Sequence, residues 1–575
     1  MKRISNQEVA RIIAEIGEYL DMEGVPFKPR AYEKAAKAVG DLDKSVSEIY
    51  ASGGLKALEQ IPGIGASIAK KIEELIKTGH LKYHDELKKK VPVDLSGLRK
   101  IEGLGPKSIK KLYEELGVKT VADLERAAKA GRVAKLEHFG AKSEENIKKG
   151  LEFLKKATGR PLLGAVLPLA RRIEERLRGQ KEVEKVIIAG SLRRWKETIG
   201  DLDVLVVSKK PGPVMDFFVS MPEVVRVVAH GETKSAVKLE SGLNVDLRVV
   251  PAESYGAALN YLTGSKDHNV ALREMALAKG WKLNEYGLFK GKKQLAGRTE
   301  EELYAVLGMD YVEPEMRENT GEIELAKKHK LPKLIGYDDL QGDLQIQTDW
   351  TDGADTIESY AKAAIERGHK YIAITDHTKR LAMTGGLDEK KIRKQWVEID
   401  RVQKKIGAKL KILKGTECDI LKDGSLDLDD ETLARLDVCG VAVHSHFDLP
   451  REEQTKRIIR AIKNPNVDIL FHPTGRLIGK REPYDVDMDA IIKTAKETGT
   501  ILEIDAFPDR LDLKDEHVKK CVVAGVKLSI DTDAHSIAHL DFLEYGIAQA
   551  RRGWAEKSDI INTRLLEAFL KLLKK

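Results

Sequence analysis

From Gly342 onward, seven short apolar runs alternate with amphipathic stretches of roughly 10–15 residues, a rhythm that leaves few folds open. The runs are DLQIQ, YIAIT, LKILKG, DVCGVAV, VDILF, TILEID and KLSID. Nearly continuous apolar strands belong to parallel sheets, because helical crossovers cover both faces of such a sheet. A distorted (β/α)7 barrel is therefore expected over residues 339–575. Polar or ionisable residues follow each strand directly, so its chemistry should gather at the carboxyl ends of the strands.

The first 315 residues follow other rules. Up to residue 155, apolar side chains recur at three-to-four spacing, as in Ile68-Ala69-Ile72-Leu75-Ile76, which predicts a helical region. From Val183 the period becomes two: VEKVIIAG, DLDVLVVS, VVRVVAHG and LNVDLRVV read as strands of a mainly antiparallel sheet. A mixed pattern fills 251–315, and the Glu-rich stretch after it, without a clear apolar face, reads as a linker over 316–338. The whole is expected to be a multidomain α+β protein. Its units are 1–90 and 91–155 (both helical), 156–250 (sheet), 251–315, the linker and the barrel.

Charge divides the chain in the same way. Residues 1–300 carry 55 Lys and Arg against 41 Asp and Glu, whereas residues 301–575 carry 44 against 51. A basic half predicts a polyanionic partner, and the carboxylates of the other half leave room for metal ions. No run is apolar enough to cross a bilayer or resembles a signal-peptide core, so the cytoplasm is the expected location, with no membrane partner. The three cysteines, Cys418, Cys439 and Cys521, form no CxxC pair and are expected as buried thiols.

Two turns of the helical region repeat. Ile61-Pro62-Gly63-Ile64-Gly65 and Ile101-Glu102-Gly103-Leu104-Gly105 share one pattern, and each precedes a lysine-bearing helix. Glycines let a phosphate come close to the backbone, and the N–H groups opening the next helix favour an anion. A single copy would pass for an ordinary turn. Two copies resemble the helix-hairpin-helix that holds a DNA backbone without reading its sequence. Phe139-Gly140-Ala141-Lys142 is a weaker third copy.

The sharpest signal is GSLRRWKETIGDLDVLV, residues 190–206. Asp201 and Asp203 lie two apart on a strand, so both leave one face about 6.6 Å apart. Asp246 falls between apolar neighbours in LNVDLRVV, where a carboxylate needs a partner or a metal. Three acids on neighbouring strands can hold two Mg2+ or Mn2+ ions roughly 3.5–4 Å apart. Gly190-Ser191 and Arg194 supply a small donor-bearing turn and a planar cation, both suited to a triphosphate.

This segment, with GETKSAVKLESGLNVDLRVV and YLTGSKDHN, resembles the nucleotidyltransferase signature of family X DNA polymerases. The resemblance implies a palm that fills short gaps in DNA during repair, with gapped or primer-template DNA and dNTPs as partners. It implies that Asp201, Asp203 and Asp246 hold the metal and that Asp246 takes the proton of the primer 3′-hydroxyl. Gly190, Ser191 and Arg194 would bind the triphosphate, Tyr261 and Gly264 the sugar and base, and Asn269 and Arg273 the minor-groove side of the new pair. Leu262 departs from the family's YFTGS motif and bears on ribose discrimination. The amino-terminal unit, by the same resemblance, is similar to a 5′-deoxyribose-phosphate lyase. Its Schiff-base nucleophile matches Lys71, with Lys70 as a nearby cation and with Lys28, Tyr32 and Lys34 contacting DNA beside Gly63, Gly65, Gly103 and Gly105.

At the carboxyl ends of the barrel strands stand Asp352, His377, Glu417, His444, His472, Asp533 and His535. Imidazoles with carboxylates suit Mn2+, Zn2+ or Fe2+ in a multinuclear hydrolytic centre. This stretch resembles a PHP domain, which implies 3′→5′ exonuclease or abasic-site endonuclease activity. By analogy Glu417, His444 and His472 keep one ion and Asp352, His377 and His535 another. A third ion, shared by Glu417 and Asp533, loses two ligands, because the His-x-His pair expected on the first strand reads Gln345-Ile346-Gln347 here. Weakened or metal-selective nuclease activity is the expectation. Two other readings stay open: a template-independent or RNA-directed nucleotidyltransferase, and a polymerase whose barrel is only a scaffold or an end-binding module.

Overall fold

The computed structural model describes residues 4–574 except Ser5, Asp41, Asp43, Glu102, Gly103 and 157–159. The amino-terminal part is helical throughout, with principal helices Asn6–Met22, Lys28–Gly40, Val46–Glu59, Ala66–Thr78, Lys82–Lys90, Pro106–Leu116, Val121–Lys129 and Ala141–Lys156. Their apolar stripes, including Ile13 and Ile16, Ile68, Ile72 and Leu75, and Ile109 and Leu112, merge into one core that extends from Val9 to Leu151. Gly63 has φ +83, a conformation that suits glycine and few other residues. Gly65 and Gly105 are the N-caps of the basic helices that follow them. Gly103 lies outside the described residues.

The central sheet has five strands in the order Lys185–Ile188, Asp201–Val207, Asn244–Val250, Lys234–Leu239, Val224–His230. Three of its four pairings are antiparallel, and only Asp201–Val207 with Asn244–Val250 is parallel. Lys234–Leu239 was not among the expected strands. Its sequence, KSAVKL, is lysine-rich and short, and it forms because it fills the slot between two apolar strands.

Residues 316–338, expected as a linker, are packed. Arg317, Glu322 and Ile335 are fully buried. Charge pairing makes this possible where an apolar face is lacking. Glu300 meets Arg193 at 2.6 Å and Arg317 at 2.5 Å, Glu322 meets His268 at 2.7 Å, and Glu315 meets Arg551 at 2.7 Å.

All seven expected strands of the carboxyl-terminal part form, as a parallel sheet in sequence order from Gly342–Asp343 to Leu528–Asp531. It nearly closes into a barrel: Gln347 N–H donates to the Ala534 carbonyl at 2.8 Å, and Ala534 N–H to that of Gln345 at 3.2 Å. Asp343 ends the first strand, Gln345 and Gln347 follow it fully buried, and Ile346, bridged to Ala534, lies in the core beneath the outer helices. The three cysteines are free and buried, as expected. The barrel shares a core with the unit built on the central sheet, the expected palm, since Leu511 and Tyr545 of the barrel pack among Leu163, Val166 and Ile199 of that unit. Among the described residues no helix is long and apolar enough to cross a membrane.

Candidate active sites

The parallel register sets Asp203 opposite Asp246, with Asp201 two residues earlier opposite Asn244. The side chains of Asp201 and Asp203 leave the solvent face while Leu202 and Val204 are buried, as the alternation requires. Burial, together with the charges of Asp201 and Asp246, pushes the Asp203 carboxyl up to about 6. A surplus of carboxylate of this kind is what a divalent cation relieves. Asp246 is less enclosed than its apolar neighbours imply: 39% of its side chain is exposed, and Lys234 lies 2.8 Å from its Oδ2. Lys234 comes from the strand missing from the sequence reading, so its contact was missed too.

Gly190 has φ +65, and a Cβ there would lie 2.3 Å from Asp203 Oδ2. Only glycine lets this turn approach the acids so closely. Beside it, Ser191 Oγ is buried and has no hydrogen-bond partner, a donor that fits an anionic ligand. Arg194 is already engaged: it donates to the Thr263 carbonyl, and its Nε lies 3.2 Å from Glu318. Arg552 of the barrel reaches the same Glu318 at 3.3 Å and the Arg194 carbonyl at 2.8 Å. Gly264, at φ +66, faces the Arg194 guanidinium. Asn269 Nδ2 donates to the Tyr261 carbonyl at 2.8 Å, while Tyr261 and Arg273 are exposed beside it.

In the barrel, Glu417 is the hub. Its Oε1 lies 2.7 Å from His472 Nε2 and 2.9 Å from His444 Nε2, and its Oε2 lies 3.4 Å from His377 Nδ1. Burial alone would raise Glu417, but His377 and His444 hold it well below the usual carboxylate range. Burial likewise disfavours charge on His444, yet Glu417 and Asp419 raise it to about 9. Asp352 lies 3.7 Å from His377 and 3.6 Å from His535. Among the described residues, two trios hold all their ligand atoms within 4.8 Å: Asp352 with His377 and His535, and His377 with Glu417 and His444. His377 serves both. The donor set, imidazole nitrogen with carboxylate oxygen, fits a transition metal or Zn2+. The palm acids do not form such a trio in this structure, with Asp246 turned to Lys234.

The sequence reading missed two groups around the barrel centre. Asp419 Oδ1 lies 3.3 Å from His444 Nδ1, and Arg510 lies 3.4 Å from Asp533. Gln347, which the sequence shows in place of the expected histidine, donates its Nε2 to Glu417 Oε2 at 2.7 Å. An Asp two residues past Glu417 on one strand could have been read from the sequence. The reach of the loop bearing Arg510 could not.

In the helical region, Lys71 sits over the rings of Tyr83 and Tyr32, 5.0 and 5.8 Å from their centres, and donates to Ser67 Oγ at 3.2 Å. Tyr32 is buried, whereas Lys28, at the start of the helix Lys28–Gly40, and Lys34, in its middle, are exposed.

Four family models match the chain: a helix-hairpin-helix domain over 4–81, a SAM-like helix-hairpin-helix tandem over 95–152, the DNA polymerase beta thumb over 258–318, and the PHP domain over 343–506. The DNA polymerase/3′-5′ exonuclease PolX of Bacillus subtilis (strain 168) is 39% identical over 573 residues, which is 98% of this chain and 99% of that protein. DNA polymerase lambda of Rattus norvegicus is 25% identical over 54% of this chain and 56% of its own length. A probable phosphatase of Thermoanaerobacter sp. (strain X514) is 29% identical over 36% of this chain and 84% of its own length.

Proposed function

Since this chain belongs to the PolX family of DNA polymerases, the family X members that carry a PHP domain, we propose that it fills short gaps in DNA by templated nucleotide addition. The observation that carries this reading is the pairing of Asp203 with Asp246 across two parallel strands, with Asp201 on the same face and Gly190 against them. The three aspartates would hold divalent ions, Mg2+ or Mn2+, which lower the pKa of the attacking hydroxyl and offset charge on the leaving pyrophosphate. Asp246 accepts the proton of the primer 3′-hydroxyl. Ser191 Oγ donates to the triphosphate of the incoming dNTP, and Gly190 keeps the backbone close to it. Arg194, fixed by Thr263 and Glu318, offers its remaining donors to the same anion. Gly63, Gly65 and Gly105, with the lysines after them, hold the duplex backbone and supply salt-sensitive affinity.

The barrel trios around His377 support a second activity, metal-dependent hydrolysis of a phosphodiester at a 3′ end. Lys71 is the nucleophile proposed for lyase chemistry, set between two aromatic faces. The cytoplasm is the proposed location.

One assay tests the polymerase reading: a one-nucleotide gapped duplex with a 5′-phosphate, compared with single-stranded primer, each with and without dNTPs. Extension confined to the gapped duplex is expected. Equal extension of the single-stranded primer would instead support a template-independent transferase.

A further inference from the structure

The acids at the barrel mouth are unequally served. The imidazoles of His377, His444 and His472 surround Glu417, whereas Asp533 has His535 Nδ1 at 3.8 Å from its Oδ1 and, among the described residues, no imidazole pairs with Asp505; both acids are buried on the last two strands and the turn after them. A single side-chain cation meets both: Arg510 Nε lies 3.3 Å from Asp505 Oδ2, and its Nη2 lies 3.4 Å from Asp533 Oδ2. Both contacts are ion pairs, and a guanidinium there supplies the positive charge that a metal ion would otherwise bring to these carboxylates.

The glutamines after the first strand do not supply what a third ion needs. Gln347 donates its Nε2 to Glu417 Oε2 at 2.7 Å, presenting an amide N–H to the hub where an imidazole would present a ligand nitrogen. Gln345 is fully buried, and neither polar atom of its side chain has a partner, so it offers no imidazole and no fixed carbonyl. The third ion of the analogy, shared by Glu417 and Asp533, does not fit these residues.

Arg510 is held firmly in place. It belongs to the loop 506–513, in which Leu511 is buried in the palm core and Pro508 touches Gly164 of the palm. The Leu511 carbonyl accepts from Arg476, and the Asp509 carbonyl from Ile478 N–H at 2.6 Å.

We propose that Arg510 is a resident cation standing where a third metal ion would lie, so that the barrel binds ions only at the two trios that share His377. The inference rests on the phosphoesterase reading of the barrel and gives it a definite composition: two ions and one guanidinium facing a phosphodiester. An arginine can neutralise a phosphate oxygen but cannot generate hydroxide, so any attacking water must come from the two remaining positions.

The test is the number of ions retained per chain after desalting from Zn2+ or Mn2+, read by elemental mass spectrometry. It uses the full chain with Asp201→Ala and Asp203→Ala, so that the palm contributes none. No more than two ions are expected. Gln345→His with Gln347→His should leave the count unchanged, because Arg510 still blocks the position, and adding Arg510→Met should raise it by one. Three ions in the parent, a third ion gained by the histidine pair alone, or no gain on replacing Arg510 would each overturn the proposal. If the Arg510→Met combination does not fold, the histidine pair decides: an unchanged count supports the proposal and a gain refutes it. Primer trimming by the natural chain is scored separately, so loss of the nuclease reading is distinguishable from a wrong ion count.

Discussion

Arg476 of the barrel grips Glu197 of the palm with both terminal nitrogens, at 2.6 and 3.2 Å, four residues before Asp201. Gln549 reaches the same carboxylate at 3.2 Å. The barrel thereby steadies the segment that enters the strand bearing Asp201 and Asp203. Arg476→Ala leaves Glu197 and the Leu511 carbonyl without their main donor, and is expected to destabilise the chain by about 2–3 kcal/mol. Calorimetry should show a lower transition temperature, with the single palm–barrel transition broadening or splitting.

Asp246→Ala removes one of the three proposed metal ligands without touching the helical glycine turns. Nucleotide addition on gapped duplex should fall about a thousandfold or more, the equivalent of several kcal/mol of transition-state stabilisation. Duplex affinity, followed by fluorescence anisotropy, should stay within about twofold. Retained extension would remove Asp246 from the metal-binding group.

Gly190→Ala tests how close the turn must come to the acids. The added methyl meets Asp203 Oδ2 at 2.3 Å in a left-handed backbone conformation, a combination that costs about 1–3 kcal/mol. The expected result is a folded but less stable palm whose addition rate collapses. Wild-type rates would show that the turn has room to spare.

The buried Glu300 gives the thumb an acid limit. Burial would raise this carboxyl, but Arg317 and Arg193 hold it down to about 2, below its ordinary 4.5. Because the folded value lies below the unfolded one, the stabilisation is complete above about pH 4.5 and is lost as pH falls towards about 2. It amounts to on the order of 3 kcal/mol. Denaturant titrations between pH 6 and about 3 should show this slope, and Glu300→Gln should be less stable at neutral pH with a flatter profile.

His377 belongs to both barrel trios, whereas Asp352 belongs to one. With a 5′-labelled primer, Mn2+ and no nucleotides, His377→Ala should abolish 3′ trimming, and Asp352→Ala should reduce it about 10–100-fold. Equal losses in the two variants would argue against the sharing of His377.

The sequence displayed the barrel plainly, because strands buried on both faces read as largely apolar runs, as in YIAIT and DVCGVAV, while DLQIQ and TILEID carry buried polar side chains among the apolar ones. The aspartate pair was equally plain, since a period of two fixes which side chains share a face. Less was legible wherever stability comes from pairing across long distances. The strand Lys234–Leu239 is a poor strand by composition, and its contribution to the site, Lys234 on Asp246, went unread with it. The stretch after Glu313 has no apolar stripe because its buried acids Glu315 and Glu322 answer to Arg551 and His268, 236 and 54 positions away in other elements. Arg510 was invisible for the same reason: nothing local says that a loop arginine will turn into a barrel.

Leu511 and Tyr545, set in the palm core, have a further consequence for how this molecule can be divided. A polymerase fragment cut after residue 338 would carry an open apolar seam along Leu163, Val166 and Ile199, and Glu197 would lose its arginine. Such a fragment should come out of solution or associate with itself, so the carboxyl-terminal half acts as a lid on the palm interior quite apart from any bond it cuts.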